Sequence, residues 1–205
     1  MGTGTKIALG VIGAIVLVLL IFGGMIAGTY NSLVSLDQST QSQWAQVENQ
    51  YQRRADLVPN LVATVKGAAN FEQSTLTAVT EARARVGQVT STAVENVARD
   101  PAAFARFQQA QDGLSSALSR LMVVAERYPE LKATQNFRDL QTQLEGTENR
   151  IAVERMRFNE AAMAFNTKRN TFPTVLVAGL FGSRFQEKPY FRAVTGAEKA
   201  PEVKF

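Results

Sequence analysis

Three glutamates, Glu145, Glu148 and Glu154, lie within ten residues of one another in a stretch of helical composition, and Glu81 lies in a second such stretch. Carboxylates on facing helices can hold a pair of metal ions, but bundle sites of that kind normally add a Glu-x-x-His from each of two helices. This chain of 205 residues has neither histidine nor cysteine. The first absence removes the commonest general base and transition-metal ligand; the second removes thiolate sites, thiol nucleophiles and disulfides. A carboxylate-only magnesium site is the one arrangement left open. Against it, the acids alternate with cations, as in Glu145, Glu148, Arg150, Glu154 and Arg155, which is the pattern of an ion-paired helix face. The residues therefore point away from an enzyme and from any cofactor or metal. Nucleic acid is not expected as a partner either, because a net charge of +4 is spread among acids and forms no basic face.

The element that must position everything else is Ile7 to Gly28, which contains no charged side chain. At about 1.5 Å per residue such a helix crosses the ~30 Å hydrocarbon core of a bilayer. It is too long for the apolar region of a cleaved signal, and Met25-Ile26-Ala27 is a poor cleavage site. Within it Gly24 and Gly28, and Gly10 and Ala14, have the small-xxx-small spacing that lets two helices approach closely. Lys6 precedes the span, whereas Asp37 and Glu48 follow it before any arginine. This charge bias predicts a single-pass protein of the cytoplasmic (inner) membrane with a cytoplasmic N-terminus and an extracytoplasmic body. The expected divisions are a tail at 1–6, the span at 7–28, a helical bundle at 30–172 and a membrane-proximal tail at 173–205.

Beyond the span the chain is rich in Ala, Gln, Glu, Arg, Val and Leu, the composition of long helices. A first seam runs through Trp44, Val47, Tyr51, Val58, Leu61 and Val65 in steps of three and four, with Arg54 interrupting it and Pro59 expected to kink it. Gly67 and a cap at Asn70 mark a turn. A second helix carries Leu76, Val79, Arg83 and Val86; a third, capped by Asp100-Pro101, carries Phe104 to Tyr128; a fourth runs from near Thr134 through Phe137, Leu144, Thr147, Ile151, Phe158 and Phe165 to Phe172. The fold class expected is all-α: a transmembrane helix followed by an antiparallel up-down four-helix bundle. A straight helix continuing from the first seam to Val86 is the weaker alternative. In the antiparallel register Arg54, Arg83, Gln111 and Thr147 fall at one height. Such a polar layer calls for carboxylates, and the expected pairing is Arg54 or Arg83 with Glu148 or Glu145.

Tyr30-Asn31-Ser32-Leu33, Arg53-Arg54-Ala55-Asp56-Leu57-Val58-Pro59-Asn60-Leu61, Tyr128-Pro129-Glu130-Leu131-Lys132 and Leu144-Glu145-Gly146-Thr147-Glu148-Asn149-Arg150-Ile151 are similar to segments of the bacterial LemA family, as are Phe158-Asn159, Phe165-Asn166 and Phe172-Pro173. The resemblance covers nearly the whole chain and implies a membrane-anchored helical bundle of bacterial origin, with no established chemistry to carry over. Up-down topology returns the end of the fourth helix to the bilayer. The apolar segment delivered there includes Phe172, Leu176, Leu180 and Phe181, with Phe185 among the basic residues that follow. It is expected to dock on the membrane surface or a neighbouring copy, or else to fold back over the end of its own bundle. The function expected is that of a self-assembling scaffold or adaptor, with the lipid bilayer, further copies and other membrane proteins as partners. The alternative is a membrane-surface module whose tail senses or remodels lipid.

Overall fold

The computed structural model describes residues 2–67, 71–93 and 97–192. Every regular element among them is helical: α1 Thr3–Lys66, α2 Gln73–Ala93, α3 Pro101–Ala125, α4 Pro129–Ala133, α5 Gln135–Asn170, α6 Thr174–Leu180 and a 3-10 turn, Gly182–Phe185. Local chemistry sets most ends. Asp100 caps α3 by accepting from the Ala102 N–H at 2.8 Å, with Pro101 at the first helical position. Gly67 closes α1 with its N–H directed at the Thr64 carbonyl. The proposed cap at Asn70 lies outside the described residues. α2 runs to Ala93, seven residues past the Val86 that closes its apolar seam. The third helix ends at Ala125, short of Tyr128, and Pro129 opens the short α4.

α1 passes from the apolar span into the body without a break at Gly28 to Tyr30. Among the described residues it is the one helix long and apolar enough to cross a membrane, and Ile7 to Phe22 point their large side chains away from the rest of the chain. From Leu33 onward only one face is covered: Leu33, Asp37, Thr40, Trp44, Val47, Tyr51, Arg54, Val58, Leu61 and Val65 are buried in unbroken three-four alternation. Pro59 sits on the exposed face within α1, so the buried seam keeps its phase through it.

α1 packs along α5, and α2 along α3. As the numbering rises along α1 it falls along α5, with Thr40 beside Ala161 and Arg54 beside Glu148. The Glu72–Arg127 ion pair brings the start of α2 to the end of α3. Three apolar clusters succeed one another along this body. Farthest from the span, Val58, Leu61, Val65, Leu76, Val79, Leu114, Leu118, Leu121 and Phe137 pack together. The middle cluster is aromatic, with Trp44 against Phe104, Phe107, Phe158 and Phe191 at centroid distances of 5.1 to 6.1 Å. Burying each such ring contributes roughly 2 to 3 kcal/mol relative to leaving it in water. Next to the span, Leu33, Phe165, Ala178 and Phe185 form the third. What separates the clusters is polar.

Candidate functional site

The first polar layer separates the far and middle clusters. Arg54 is wholly buried, and its guanidinium donates to Glu148 Oε1 at 2.8 Å, to Ser115 Oγ at 2.5 Å, and to the backbone and side-chain oxygens of Gln111 at 3.1 and 2.5 Å. It also lies over the Tyr51 ring, 5.0 Å from the centroid. Gln111 and Thr147 are buried at this level. Residues from α1, α3 and α5 thus converge on one cation, whose fixed fork of donors suits several acceptors at once. Burial pushes the nearby Tyr51 phenol above its usual value of 10.0, against the opposing influence of Arg155 and Arg54.

Two expected members of that layer are not inside it. Ala82, not Arg83, takes the buried position on α2, and Arg83 is exposed. A second buried arginine here would face Arg54 with no carboxylate inside to neutralise it, whereas alanine fits between Val79 and Val86 without desolvating a charge. Arg83 still reaches this height from outside: its Nε donates to the Ala55 carbonyl at 3.1 Å. That carbonyl is the one orphaned by Pro59, which has no N–H to offer four residues on. The arginine supplies the hydrogen bond that the proline removes.

Glu145 is exposed and accepts from Gln141 on its own helix, Glu154 pairs with Arg157, and Glu81 is exposed. These carboxylates do not converge, and among the described residues no group of three or more His, Cys, Asp or Glu is placed to hold a metal ion. Phe172, expected at the end of the fourth helix's seam, is exposed, as is Lys168, because the buried face there runs through Ala162, Phe165 and Asn166.

The second polar layer, between the middle cluster and the one beside the span, uses residues that periodicity left aside. Asp37 is buried on the α1 seam and pairs with both Lys188 and Arg99, the latter at 2.8 Å. The Lys188 side chain is 2% exposed, and its ammonium lies 4.8 Å from the centre of the Phe165 ring. Burial pushes it below its ordinary value of 10.5, Asp37 opposes that shift and Arg99 adds to it.

Lys188 belongs to an extended segment that follows the 3-10 turn and runs back along α5. Asn166 clamps the segment's backbone at Lys188, accepting from its N–H at 2.8 Å and donating to its carbonyl at 2.9 Å. Asn159 does the same at Phe191, at 2.9 and 3.0 Å. The match is geometric: seven helical residues rise about 10.5 Å and three extended ones about 10 Å, so asparagines one heptad apart meet backbone amides three residues apart. The sequence signal was visible as the heptad-spaced Phe158-Asn159 and Phe165-Asn166, in which each phenylalanine enters the core and each asparagine faces the strap.

The segment before the strap is split by face. α6 buries Thr174, Val177 and Ala178, and Phe185 is fully packed between Phe165 and Tyr30. Phe185 is therefore core, not a membrane-facing residue. Phe172, Leu176 and Leu180 are 76%, 62% and 73% exposed, and Phe181 is partly so, its ring 4.8 Å from that of Tyr30. In the span Gly10, Ala14, Gly24 and Gly28 are all exposed, and a Cβ on any of these glycines would meet nothing within 4 Å. On the outer face of α5, Ala152, Met156 and Met163 border a groove of about 540 Å³ shared with Tyr190 and Phe191 of the strap.

Comparison with known proteins bears on residues throughout this body. The model of the LemA family matches residues 43–205. The magnetosome protein MamQ 2 of Paramagnetospirillum magneticum is 30% identical over 178 residues, covering 78% of this chain and 65% of that protein. MamQ of Magnetospirillum gryphiswaldense is 28% identical with the same coverage. Protein LemA of Metamycoplasma hominis is 25% identical over 158 residues, covering 77% of this chain and 67% of that protein. The chain spans less than two thirds of the length of the magnetosome relatives.

Proposed function

The chain belongs to the LemA family, and from that premise we propose that it is a non-enzymatic, membrane-anchored scaffold. Its body is an antiparallel up-down four-helix bundle that self-assembles and holds other membrane proteins at the surface of the cytoplasmic membrane. The observation that carries this reading is the continuity of α1 from Thr3 to Lys66. Sixty-four residues at about 1.5 Å make a rod of roughly 96 Å, in which the segment that crosses the bilayer is also the seam helix of the body. A hinge between the two would let the body swing; a continuous helix holds it at a set height above the bilayer, which is what a scaffold requires.

Two surfaces support assembly. The small residues of the span leave room for a second helix. The exposed Val153, Met156 and Met163 on α5, with Glu160 between the methionines, offer adaptable contacts, because unbranched methionine repacks readily against different partners. The names of the relatives, a family and a magnetosome protein, specify no reaction.

Because the chain contains no cysteine, single-cysteine variants test the proposal cleanly. Met156→Cys, Met163→Cys and Gly24→Cys in native membranes are expected to give crosslinked dimers or adducts with a second membrane protein. Ser116→Cys, on the exposed face of α3, is expected to give neither. The same Ser116→Cys variant should react with a membrane-impermeant thiol reagent in intact cells if the body is extracytoplasmic. Protein that stays monomeric and uncrosslinked at all three test positions refutes the scaffold reading.

A further inference from the structure

We propose that the outer face of α6 is a second membrane-contact site, which seats in the headgroup and upper acyl region of the leaflet from which α1 emerges. The inference rests on the reading of Ile7 to Gly28 as a membrane span. Its first support is depth. Tyr30 follows Gly28 by two residues, about 3 Å of helix rise, while the interfacial zone of one leaflet is roughly 5 to 8 Å thick. The Tyr30 ring contacts Phe181 and Phe185, in the turn directly after α6, at 4.8 and 5.5 Å, so the C-terminal end of α6 is held at headgroup height.

The second support is the split of α6 into two faces. Thr174, Val177 and Ala178 satisfy the body, which leaves Phe172, Val175, Leu176 and Leu180 as a stripe turned away from it. The exposures of Phe172, Leu176 and Leu180 are comparable to those of Ile7, Leu17 and Leu20 in the span, which run from 59% to 69%. Water is a poor solvent for such a stripe, and monomeric proteins rarely keep one there without use. The third support is charge. Exposed Lys168 in the last turn of α5 and exposed Arg184, whose guanidinium lies 5.5 Å from the Tyr30 ring centre, flank the stripe. Basic residues beside aromatic and aliphatic ones match an anionic lipid surface, where rings sit at headgroup level and cations meet phosphate.

With α6 seated, the protein touches the bilayer at two points, the span and the α6 stripe. A single helix leaves rotation about its own axis free; the second contact removes that freedom and fixes which face of the body is turned to neighbours.

The test uses the full-length protein in vesicles of phosphatidylethanolamine and phosphatidylglycerol. An environment-sensitive fluorophore is placed on single cysteines at Leu180→Cys, Phe172→Cys, Leu17→Cys and Ser116→Cys, the last on the exposed face of α3. Quenching is compared between a quencher attached to the lipid acyl chain and aqueous iodide. The expected result is several-fold stronger lipid quenching and weaker iodide quenching at positions 180 and 172 than at 116, independent of protein density. If position 17 is quenched by lipid while 180 and 172 behave like 116, the span is right and the α6 contact is wrong. If position 17 is also open to iodide, the anchor reading itself fails. Shielding at 180 that grows with protein density, with no lipid quenching, assigns the stripe to a second copy and overturns the proposal.

Discussion

The two polar layers that divide the core are built from different materials. In the layer farther from the span, a buried arginine on α1 is held by groups on α3 and α5, and its countercharge Glu148 is 38% exposed. In the nearer layer the buried carboxylate is on α1, and the cation comes from a segment that is not helical at all. The Arg54 layer locks three long helices in one register, because a one-turn slip would strand a guanidinium among leucines. The Asp37 layer fastens a strap: it holds the chain after α6 against the body, and with it the position of α6. One layer specifies how the long helices pack and the other specifies what is attached to them.

The sharpest break of this comparison lies at Glu148. Glu148→Leu leaves Arg54 buried without a countercharge and should cost about 3 kcal/mol, at the low end of the usual range because Glu148 is already partly solvated. For a chain of this size that lowers the melting temperature by roughly 10 °C. Arg54→Met should cost far less, since methionine fills the stem's volume and the released Glu148 turns to water. The double variant should fall near the single Arg54→Met. Thermal unfolding monitored by circular dichroism decides it: equal losses from the two single variants would mean that the layer is not centred on a buried arginine.

The contrast also explains which parts were legible in the sequence. Arg54, Gln111 and Thr147 interrupt long apolar seams, so a register argument finds them. Arg83 and Ala82 are not separable by periodicity, because steps of three and four both continue a helix face and either residue completes a seam between Val79 and Val86. Continuity of α1 was hidden by the change of composition after Gly28, which alters what surrounds the helix without breaking its hydrogen bonds. Lys188 had no period to place it. An extended strap is fixed by partners on other elements, and only the heptad of asparagines on α5 hinted that something lay along them.

A smaller and more local effect is expected at that heptad. Asn166→Ala removes both partners of the buried Lys188 backbone and should cost about 2 kcal/mol, while Asn159→Ala, at a half-buried site, should cost less. The loss should be confined to the strap and α6. Hydrogen exchange is expected to accelerate over residues 174–192 in both variants, with α1 to α5 unchanged around Arg54. Uniform acceleration across the body would show that the strap belongs to the cooperative core, and that the two layers are not separable as described.

The smallest expected effect is a dependence of stability on pH. Burial holds the Lys188 ammonium below its ordinary value of 10.5 despite Asp37, with Arg99 adding to the depression. Between the folded value and 10.5 the unfolded chain therefore binds more protons than the folded one, and stability rises with pH across that window through this group. Tyr51 acts in the opposite sense. Its folded value is raised above 10.0 by burial, so its contribution is fully present below 10.0 and is lost as pH rises through the folded value. The two are told apart by variants: Lys188→Met should abolish the rise on the lower side of the window, and Tyr51→Phe should abolish the fall beyond it. Denaturant unfolding at a series of pH values measures both slopes. A rise that survives Lys188→Met must come from another group, and the strap's lysine would then not be the pH-sensitive member of the nearer layer.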